Sequence, residues 1–347
     1  MGDGAVTAHS TIGAPPTVAH GGRLDAARRL YPDAPQPWID LSTGVNPRAY
    51  PLPPVADEVF TRLPDDDAFA ALERAARRSY GAPAGADIVA GGGTQAFIQL
   101  LPRVFPAKRV AVLGFTYAEH AACWATSGAE VDVVETMDAL AEAEAAVIVN
   151  PNNPDGRFLE PQEILSAASR MSQRGGLLIV DESFMDFTPE RSVARFANDA
   201  ALIVLRSFGK TYGLPGARLG FALASRSRAA TLRAALGPWA VSGPALAIGA
   251  SALADDAWRA GAAQLAARDA ARLDALLAQA GFHIAGGTTL FRLAAHPNAA
   301  RWFARLAARG VLTRAFVEKP DWLRFGLPGN DDAWSRLAEA LESVDGG

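Results

Sequence analysis

The sequence predicts an α/β fold with a mainly parallel seven-stranded sheet, helices on both faces of the sheet, and a smaller α+β domain. Seven short apolar runs alternate with helical segments, which is typical of such a sheet. They lie near residues 88, 111, 132, 148, 178, 203 and 221. Polar residues follow the ends of most of these runs, where open α/β sheets bind ligands. After the seventh run, a segment rich in glycine and proline leads to a long helix and further short apolar runs, which indicate the second domain.

The composition is that of a soluble globular chain, with 347 residues, 50% hydrophobic residues and a formal net charge of −4. This charge does not favour nucleic-acid binding, and no apolar run approaches the ~18 residues that span a bilayer. Residues 1–18 lack the basic and apolar segments of a signal peptide. The single Cys123 excludes an internal disulfide and favours a reducing compartment. We therefore expect a cytoplasmic protein without nucleic-acid or membrane partners, and we predict no metal site.

Breaker residues and helical patterns divide the chain into four predicted segments. We expect a flexible N-terminus over residues 1–19, an arm over 20–47, a large domain over 48–236 and a small α+β domain over 237–347. The arm is expected to pack with the small domain and beside the ligand site.

The first strand of the predicted sheet leads into a turn that favours phosphate binding. Three glycines, residues 91–93, follow the strand, and a helix begins at Thr94. Free N–H groups and the positive end of the helix dipole would then point at one anion. A Walker A loop is excluded because there is no lysine, and a dinucleotide-binding fingerprint because its third glycine is missing.

Two later strands are also followed by candidate ligand-binding residues. Tyr117 comes after the strand near residue 111, where its ring could stack on a planar ligand or belong to the core, and His120 is expected to be its neighbour. Asn153 comes after the strand near residue 148, between two prolines that restrict its backbone. Just beyond it, Arg157 is either a surface arginine or a phosphate ligand, since a guanidinium fork suits phosphate oxygens.

Lys210 is the strongest candidate for a reactive group. It is one of only three lysines in the chain and lies in a glycine-rich segment, expected to be a loop, after the apolar run 201–205. An amine in an apolar pocket has a lowered pKa and can form a Schiff base with an aldehyde. An ordinary solvated surface lysine is the alternative.

Ser207, Lys210 and Arg218 together form a Ser-x-x-Lys motif with an arginine eight residues after the lysine. This motif resembles the signature of the fold-type I pyridoxal-phosphate (PLP) enzymes of the class I/II aminotransferase superfamily. The resemblance implies that Lys210 binds PLP covalently and that Asp181 and Tyr117 are also catalytic, Asp181 through the pyridine nitrogen and Tyr117 by stacking on the ring. The cofactor-binding residues that it implies are Gly92, Gly93, Thr94, Gln95, Tyr117, Asn153, Asp181, Ser207, Lys210 and Arg218.

The N-terminal arm resembles one group of enzymes within this superfamily. The motif H-G-G at residues 20–22, followed by D-L-S-T-G-x-N-P at residues 40–47, resembles the entry segment of the threonine-phosphate decarboxylases of cobalamin biosynthesis. These enzymes convert L-threonine O-3-phosphate to (R)-1-aminopropan-2-ol O-phosphate and CO2. A histidinol-phosphate-type aminotransferase would share every cofactor residue but usually lacks the H-G-G motif, and it remains the alternative. A PLP-binding regulator would need a DNA-binding domain, for which residues 1–45 are too few.

The resemblance also implies a substrate site, formed by His20, Gly21, Asn46, Asn153, Arg157 and Arg324. Arg324 lies at the centre of an apolar run, where a charge must be paired or functional, and in the superfamily this arginine binds the substrate carboxylate. Two positions depart from the pattern. Leu63 replaces a tyrosine that in many relatives reaches the cofactor phosphate of the partner subunit. Phe184 replaces a tyrosine that in aminotransferase relatives often lies near the phenolic oxygen of the cofactor. A homodimer is expected from the resemblance.

Overall fold

The computed structural model describes residues 20–342. The predicted flexible N-terminus, residues 1–19, lies outside the described residues. Within residues 20–342, no helix is both long enough and apolar enough to cross a membrane.

The strands of the described chain form three sheets. They are β1 (Ile39–Asp40), β2 (Ala86–Gly91), β3 (Arg109–Leu113), β4 (Glu130–Val134), β5 (Ala145–Val149), β6 (Leu177–Asp181), β7 (Leu202–Ser207), β8 (Gly220–Ser225), β9 (His283–Thr288), β10 (Phe291–Ala295), β11 (Val311–Leu312), β12 (Arg314–Ala315) and β13 (Trp322–Gly326).

The helices cover the sheets and connect most of the strands. They are α1 (Leu24–Leu30), α2 (Glu58–Thr61), α3 (Asp66–Tyr80), α4 (Thr94–Val104), α5 (Glu119–Thr126), α6 (Met137–Leu140), α7 (Pro161–Gln173), α8 (Phe208–Thr211), α9 (Arg226–Leu236), α10 (Gly243–Ala254), α11 (Asp256–Gln279), α12 (Ala299–Ala308) and α13 (Asp331–Leu341).

The largest sheet has seven strands in the order β2-β8-β7-β6-β5-β3-β4. Six of the seven strands run in the same direction and β8 runs opposite to them, so the predicted mainly parallel sheet is confirmed. Every residue of the central strands β5 and β6 is buried, as expected for a parallel sheet covered on both faces. Alternate side chains enter different cores. Ile148 and Val180 belong to one core, and Val147 and Ile179 belong to the core on the opposite face.

A second, antiparallel sheet has the strand order β12-β13-β10-β9 and forms its own core with α11, α12 and α13. The arm joins this region because β1 pairs in parallel with β11, Ile39 opposite Val311. The segment directly after residue 236 packs elsewhere. Ala245 and Leu246 of α10 lie in the core of the large sheet, and beyond residue 236 the first residue of the second core is Ala266 of α11. The exact domain boundaries stay a prediction.

Candidate active site

A cavity of about 660 Å³ opens where the parallel strands of the large sheet end, and its wall also includes residues of the arm and of the second sheet. Twelve residues singled out from the sequence line it: His20, Gly21, Gly93, Thr94, Gln95, Tyr117, Asn153, Asp181, Ser207, Lys210, Arg218 and Arg324. Residues separated by about 300 positions in the chain therefore face one space.

One end of the cavity is a tight cradle at the beginning of α4. Gly93 has φ = 85°, a conformation that favours glycine, and a Cβ atom there would lie 2.7 Å from Nη2 of Arg218. Strand β8 approaches the same turn so closely that a Cβ on Gly220 would lie 2.5 Å from the backbone nitrogen of Thr94. The first N–H groups of an α-helix have no acceptor within the helix. A guanidinium and a helix terminus thus converge here, which suits an anion.

Asp181 lies at the end of β6, with its carboxylate fully partnered. His120 Nε2 donates to Oδ2 at 2.9 Å, and Ser183 donates to Oδ1 from both its backbone N–H, at 3.0 Å, and its hydroxyl, at 2.5 Å. Burial by itself would raise the pKa of Asp181, but these hydrogen bonds outweigh it and hold the pKa below its ordinary value. The cavity therefore contains a carboxylate that stays charged at neutral pH, held by His120, which the sequence placed only as a neighbour of Tyr117.

Lys210 lies on the one-turn helix α8 rather than in the loop that the glycines predicted. Gly209 makes this turn possible, since a Cβ there would lie 2.7 Å from Cα of Pro215. The Lys210 Nζ atom is 5.5 Å from the ring centre of Phe184. Burial, helped by the positive charges of Arg324 and Arg218, lowers the pKa of Lys210 to about 8. The prediction of an amine with a lowered pKa therefore agrees with the geometry.

A chain of hydrogen bonds connects three residues of the cavity wall. Tyr117 donates its hydroxyl to Gln95 at 3.2 Å, Gln95 donates to Glu119 at 2.6 Å, and His20 Nε2 donates to Glu119 at 2.9 Å. Burial raises the pKa of Tyr117 to about 12, so its hydroxyl stays neutral. The chain holds the Tyr117 ring at the cavity wall and joins the arm to helix α5.

Arg324, at the centre of β13, connects three segments at the cavity. Its guanidinium donates to the side-chain oxygen of Asn153 and, at 2.7 Å, to the backbone carbonyl of Ser42. Gly21 lies against the same carbonyl, and Gly22 N donates to the Ser42 hydroxyl at 2.6 Å. Burial lowers the pKa of Arg324 to about 10, and the neighbouring charge of Arg314 contributes.

Arg314 is a cavity residue that the sequence analysis missed. It lies on β12 directly opposite Arg324 on β13, and directly opposite residues of antiparallel strands point to the same face. Both side chains line the cavity, and like charges in this position repel each other. Two adjacent arginines thus offer a site for two anionic groups. No motif could have found this pair, since it depends on the register of two short strands.

Three predicted residues do not line the cavity. Asn46 is buried and its amide donates to the carbonyl of Thr211 at 2.9 Å, so it supports the segment that carries Lys210. The guanidinium of Arg157 points to the carbonyl of Leu113, at 3.2 Å. Gly92 accepts a hydrogen bond from Arg218 through its carbonyl, at 3.3 Å. In this arrangement all three act on neighbouring protein groups rather than on the cavity.

Comparison with known proteins agrees with this geometry. The family model "Aminotransferase class I and II" matches residues 42–341. The chain is 44% identical to the threonine-phosphate decarboxylase of Pseudomonas aeruginosa over 327 residues, which cover 93% of this chain and 97% of that protein. It is 45% identical to the threonine-phosphate decarboxylase of Sinorhizobium sp over 335 residues, which cover 94% and 98%.

A solved structure supports the fold. The crystal structure of the histidinol-phosphate aminotransferase from Sinorhizobium meliloti in complex with pyridoxal-5'-phosphate has a TM-score of 0.74 at 21% identity, and the match covers 91% of this chain and 93% of that one. At this identity the likeness shows the fold alone. The family match and the near-full-length relatives show more than the fold. The chain is similar to the threonine-phosphate decarboxylases in particular, and it belongs to the class I and II aminotransferases, a PLP-dependent family.

Proposed function

We propose that this protein is a PLP-dependent decarboxylase that converts L-threonine O-3-phosphate to (R)-1-aminopropan-2-ol O-phosphate and CO2 for cobalamin biosynthesis. The near-full-length identity to two threonine-phosphate decarboxylases carries this proposal. The fold does not separate the proposed activity from transamination, because a histidinol-phosphate aminotransferase shares it.

The residues of the cavity fit PLP at three points. The cradle at Gly93, which has no room for a Cβ beside Arg218, suits the cofactor phosphate, with Thr94, Gln95 and Ser207 next to it. Lys210 can hold the aldehyde carbon, because a lowered pKa leaves part of its amine neutral near pH 7. Asp181 can hold the protonated pyridine nitrogen, because its own pKa is kept low. When bound, PLP supplies an electron sink for the electron pair left by the departing carboxylate.

Asp181 would keep the cofactor ring cationic through charge and position. Its carboxylate cannot turn away, since His120 holds one oxygen and Ser183 holds the other. Asn153 and Tyr117 would fix the ring from the side and from one face, as the resemblance implies. Asp181, Asn153 and Tyr117 would thus set the plane to which the breaking bond of the substrate must lie perpendicular.

Lys210 would act twice. It holds the cofactor before the substrate arrives, and once its amine is free it can donate a proton to Cα of the substrate after CO2 has left. An acid with a pKa of about 8 is well matched to proton transfer near neutral pH. Phe184, beside Nζ, gives this amine an apolar neighbour instead of a hydroxyl.

The pair Arg314 and Arg324 would bind the two anionic groups of the substrate. L-Threonine O-3-phosphate carries a carboxylate and a phosphate, and a guanidinium fork suits either group. The two anions would offset the repulsion between the arginines, together with Glu318, which also lines the cavity and whose charge opposes the lowering of the Arg314 pKa by burial. His20 remains a candidate for the phosphate, while Asn46 and Arg157 would act only by supporting neighbouring segments.

We further propose a homodimer. Several large apolar side chains are more than half exposed, among them Leu52 64%, Phe60 67%, Leu63 67% and Trp239 55%. Phe60 and Leu63 belong to segment 58–63, which lines an apolar groove together with segment 243–250. A second copy of the chain would cover this surface, as fold-type I enzymes usually place their sites beside a dimer interface.

The test gives the PLP-loaded protein L-threonine O-3-phosphate without any keto acid and follows CO2 and the cofactor absorbance together. Sustained CO2 release with unchanged cofactor is expected, and Lys210→Ala should abolish it. If instead no CO2 appears and the cofactor is converted to its amine form, which 2-oxoglutarate reverses, the protein is an aminotransferase and the proposal is wrong.

A further inference from the structure

A buried charged network lies on the opposite face of the large sheet from the cavity, at the ends of β6 and β7. Arg206 is 1% exposed, and its Nη1 donates to Glu182 at 2.7 Å and to the hydroxyl of Ser192 at 3.0 Å. Its Nη2 donates to Asp186. The Arg206 Cζ atom also lies 4.5 Å from the ring centre of Tyr80.

On each of the two strands, a residue of this network is the chain neighbour of a residue of the proposed cofactor site. Successive side chains of a strand point to opposite faces, so Asp181 and Ser207 enter the cavity while Glu182 and Arg206 enter the network. The backbone pairing of β6 with β7 ends where Glu182 N donates to Leu205 O, at 2.9 Å. Beyond that bond, the two strand ends are held together by the ion pair of Glu182 and Arg206.

The same network also fixes the chain that follows β6. Glu182 accepts from the backbone of Val193 at 2.7 Å and from the hydroxyl of Ser192 at 2.5 Å. Asp186 lies only two residues after Phe184, whose ring is beside the Lys210 amine. The three charged groups therefore tie together the segments that carry Asp181, Phe184 and Lys210.

Stability alone does not account for this arrangement. Replacing a buried ion network by apolar groups is often neutral or stabilising. This network is also imperfectly satisfied, since Arg206 Nε, Asp186 Oδ2 and the Tyr80 hydroxyl find no hydrogen-bond partner within residues 20–342. What the network does provide is a rigid, charge-assisted spacing between two strand ends.

We propose that Arg206 is a positioning residue, which sets the distance between Asp181 on β6 and Ser207 and Lys210 after β7 by holding Glu182 and Asp186. Although burial opposes it, the two carboxylates raise the pKa of Arg206 above its ordinary value, so the guanidinium stays charged. Burial raises the pKa of Glu182, and the charge of Arg206 opposes this rise. The inference rests on the proposed assignment of Asp181, Ser207 and Lys210 to PLP.

The chain offers a matched control at the other end of the same two strands. Arg228 donates to the carbonyl of Ala200, before β7, and to that of Gly176, before β6, at 3.4 Å. Arg228→Met therefore loosens the same strand pair far from the cavity, while Arg206→Met loosens it at the cavity. A merely structural role would lower the Tm of both variants and leave PLP binding and the absorbance titration unchanged in both.

The experiment measures three quantities for the full-length protein: the dissociation constant for PLP, the pH titration of the absorbance of lysine-bound PLP, and the Tm of the cofactor-free form. For Arg206→Met we expect the dissociation constant to rise about tenfold or more and the absorbance titration to shift. For Arg228→Met we expect a lower Tm, with the dissociation constant within about twofold of wild type and an unchanged titration.

Arg206→Met leaves two buried carboxylates unpaired and can fail to fold. The triple variant Arg206→Met, Glu182→Gln, Asp186→Asn removes all three charges, and it should fold while still showing the shifted titration. A triple variant, or a folded Arg206→Met, that titrates and binds PLP like wild type would overturn the proposal, as would an equal effect of Arg228→Met. Failure of the assignment of Asp181, Ser207 and Lys210 to PLP is separately visible, because wild type would then show no lysine-bound PLP that Lys210→Ala removes.

Discussion

Lys210 combines burial with neighbouring positive charge, and this has a cost for the fold. Its pKa of about 8 lies below the ordinary value of 10.5, so the cofactor-free folded state binds protons less readily than the unfolded state. Between these two values the unfolded chain holds more protons on this group, and stability rises with pH. Below pH 8 the penalty is present in full, and above pH 10.5 it is absent.

The first prediction follows from this rise of stability with pH. Lys210→Met should raise the free energy of unfolding of the cofactor-free protein at pH 7 by about 1–3 kcal/mol, because it removes a charged amine from an apolar site. Urea unfolding of both proteins at pH 7 and at pH 10 measures it. The gain should shrink at the higher pH, and a gain that is the same at both values would contradict the argument.

Arg314 is the residue on which substrate recognition is expected to depend without any sequence motif. Arg314→Gln should raise KM for L-threonine O-3-phosphate about tenfold to a hundredfold, since one charge-assisted contact is lost. PLP binding should not change. Arg309→Gln, at an exposed position directly after α12, is the control for the loss of one positive charge. Steady-state kinetics would reject the role of Arg314 if both variants behaved alike.

At the scale of elements, the close approach of β8 to the beginning of α4 decides the shape of the anion cradle. Gly220→Ala would push a Cβ against the backbone of Gly93 and Thr94. We expect PLP to bind about tenfold more weakly, because the cradle loses charge-assisted contacts. Gly216→Ala is the matched control, since no atom lies within 4 Å of its added Cβ and its backbone is not left-handed. Titration with PLP, followed by fluorescence, measures the affinity of both variants. Equal affinities would show that the turn at Gly93 accommodates the added Cβ without weakening PLP binding.

Most elements of the large sheet could be predicted because their signals are local. The apolar runs of β5 and β6 are continuous, as burial on both faces demands. β6 ends in Asp181, which faces the cavity, and Asn153 faces it from the loop after β5. The glycines around Lys210 predict a loop, but this segment is a one-turn helix. Glycine usually breaks a helix, but here Gly209 is needed because Pro215 packs too close to leave room for a Cβ.

At the scale of the whole molecule, the exposed apolar surface around Phe60 predicts association. Phe60→Asp should convert the proposed dimer into a monomer, because a charge would be buried without a partner at the interface. Light scattering after size-exclusion chromatography measures the mass. Leu30→Asp on α1, a residue 75% exposed on another surface, should leave the mass unchanged. A wild-type protein that runs as a monomer would exclude the dimer outright.

The sequence by itself determined the α/β class, the Lys210 motif and the residues at the strand ends, because these depend on spacings of a few residues along one chain. Only the tertiary structure decided that Arg314 faces Arg324, that Arg157 and Asn46 turn to neighbouring backbone, and that Arg206 clamps the strand ends behind Asp181. Each of these contacts joins residues through strand register or through both faces of a sheet. A one-residue shift in register would reverse the side on which a side chain lies, and a strand of two residues such as β12 has too short an apolar pattern to define its register.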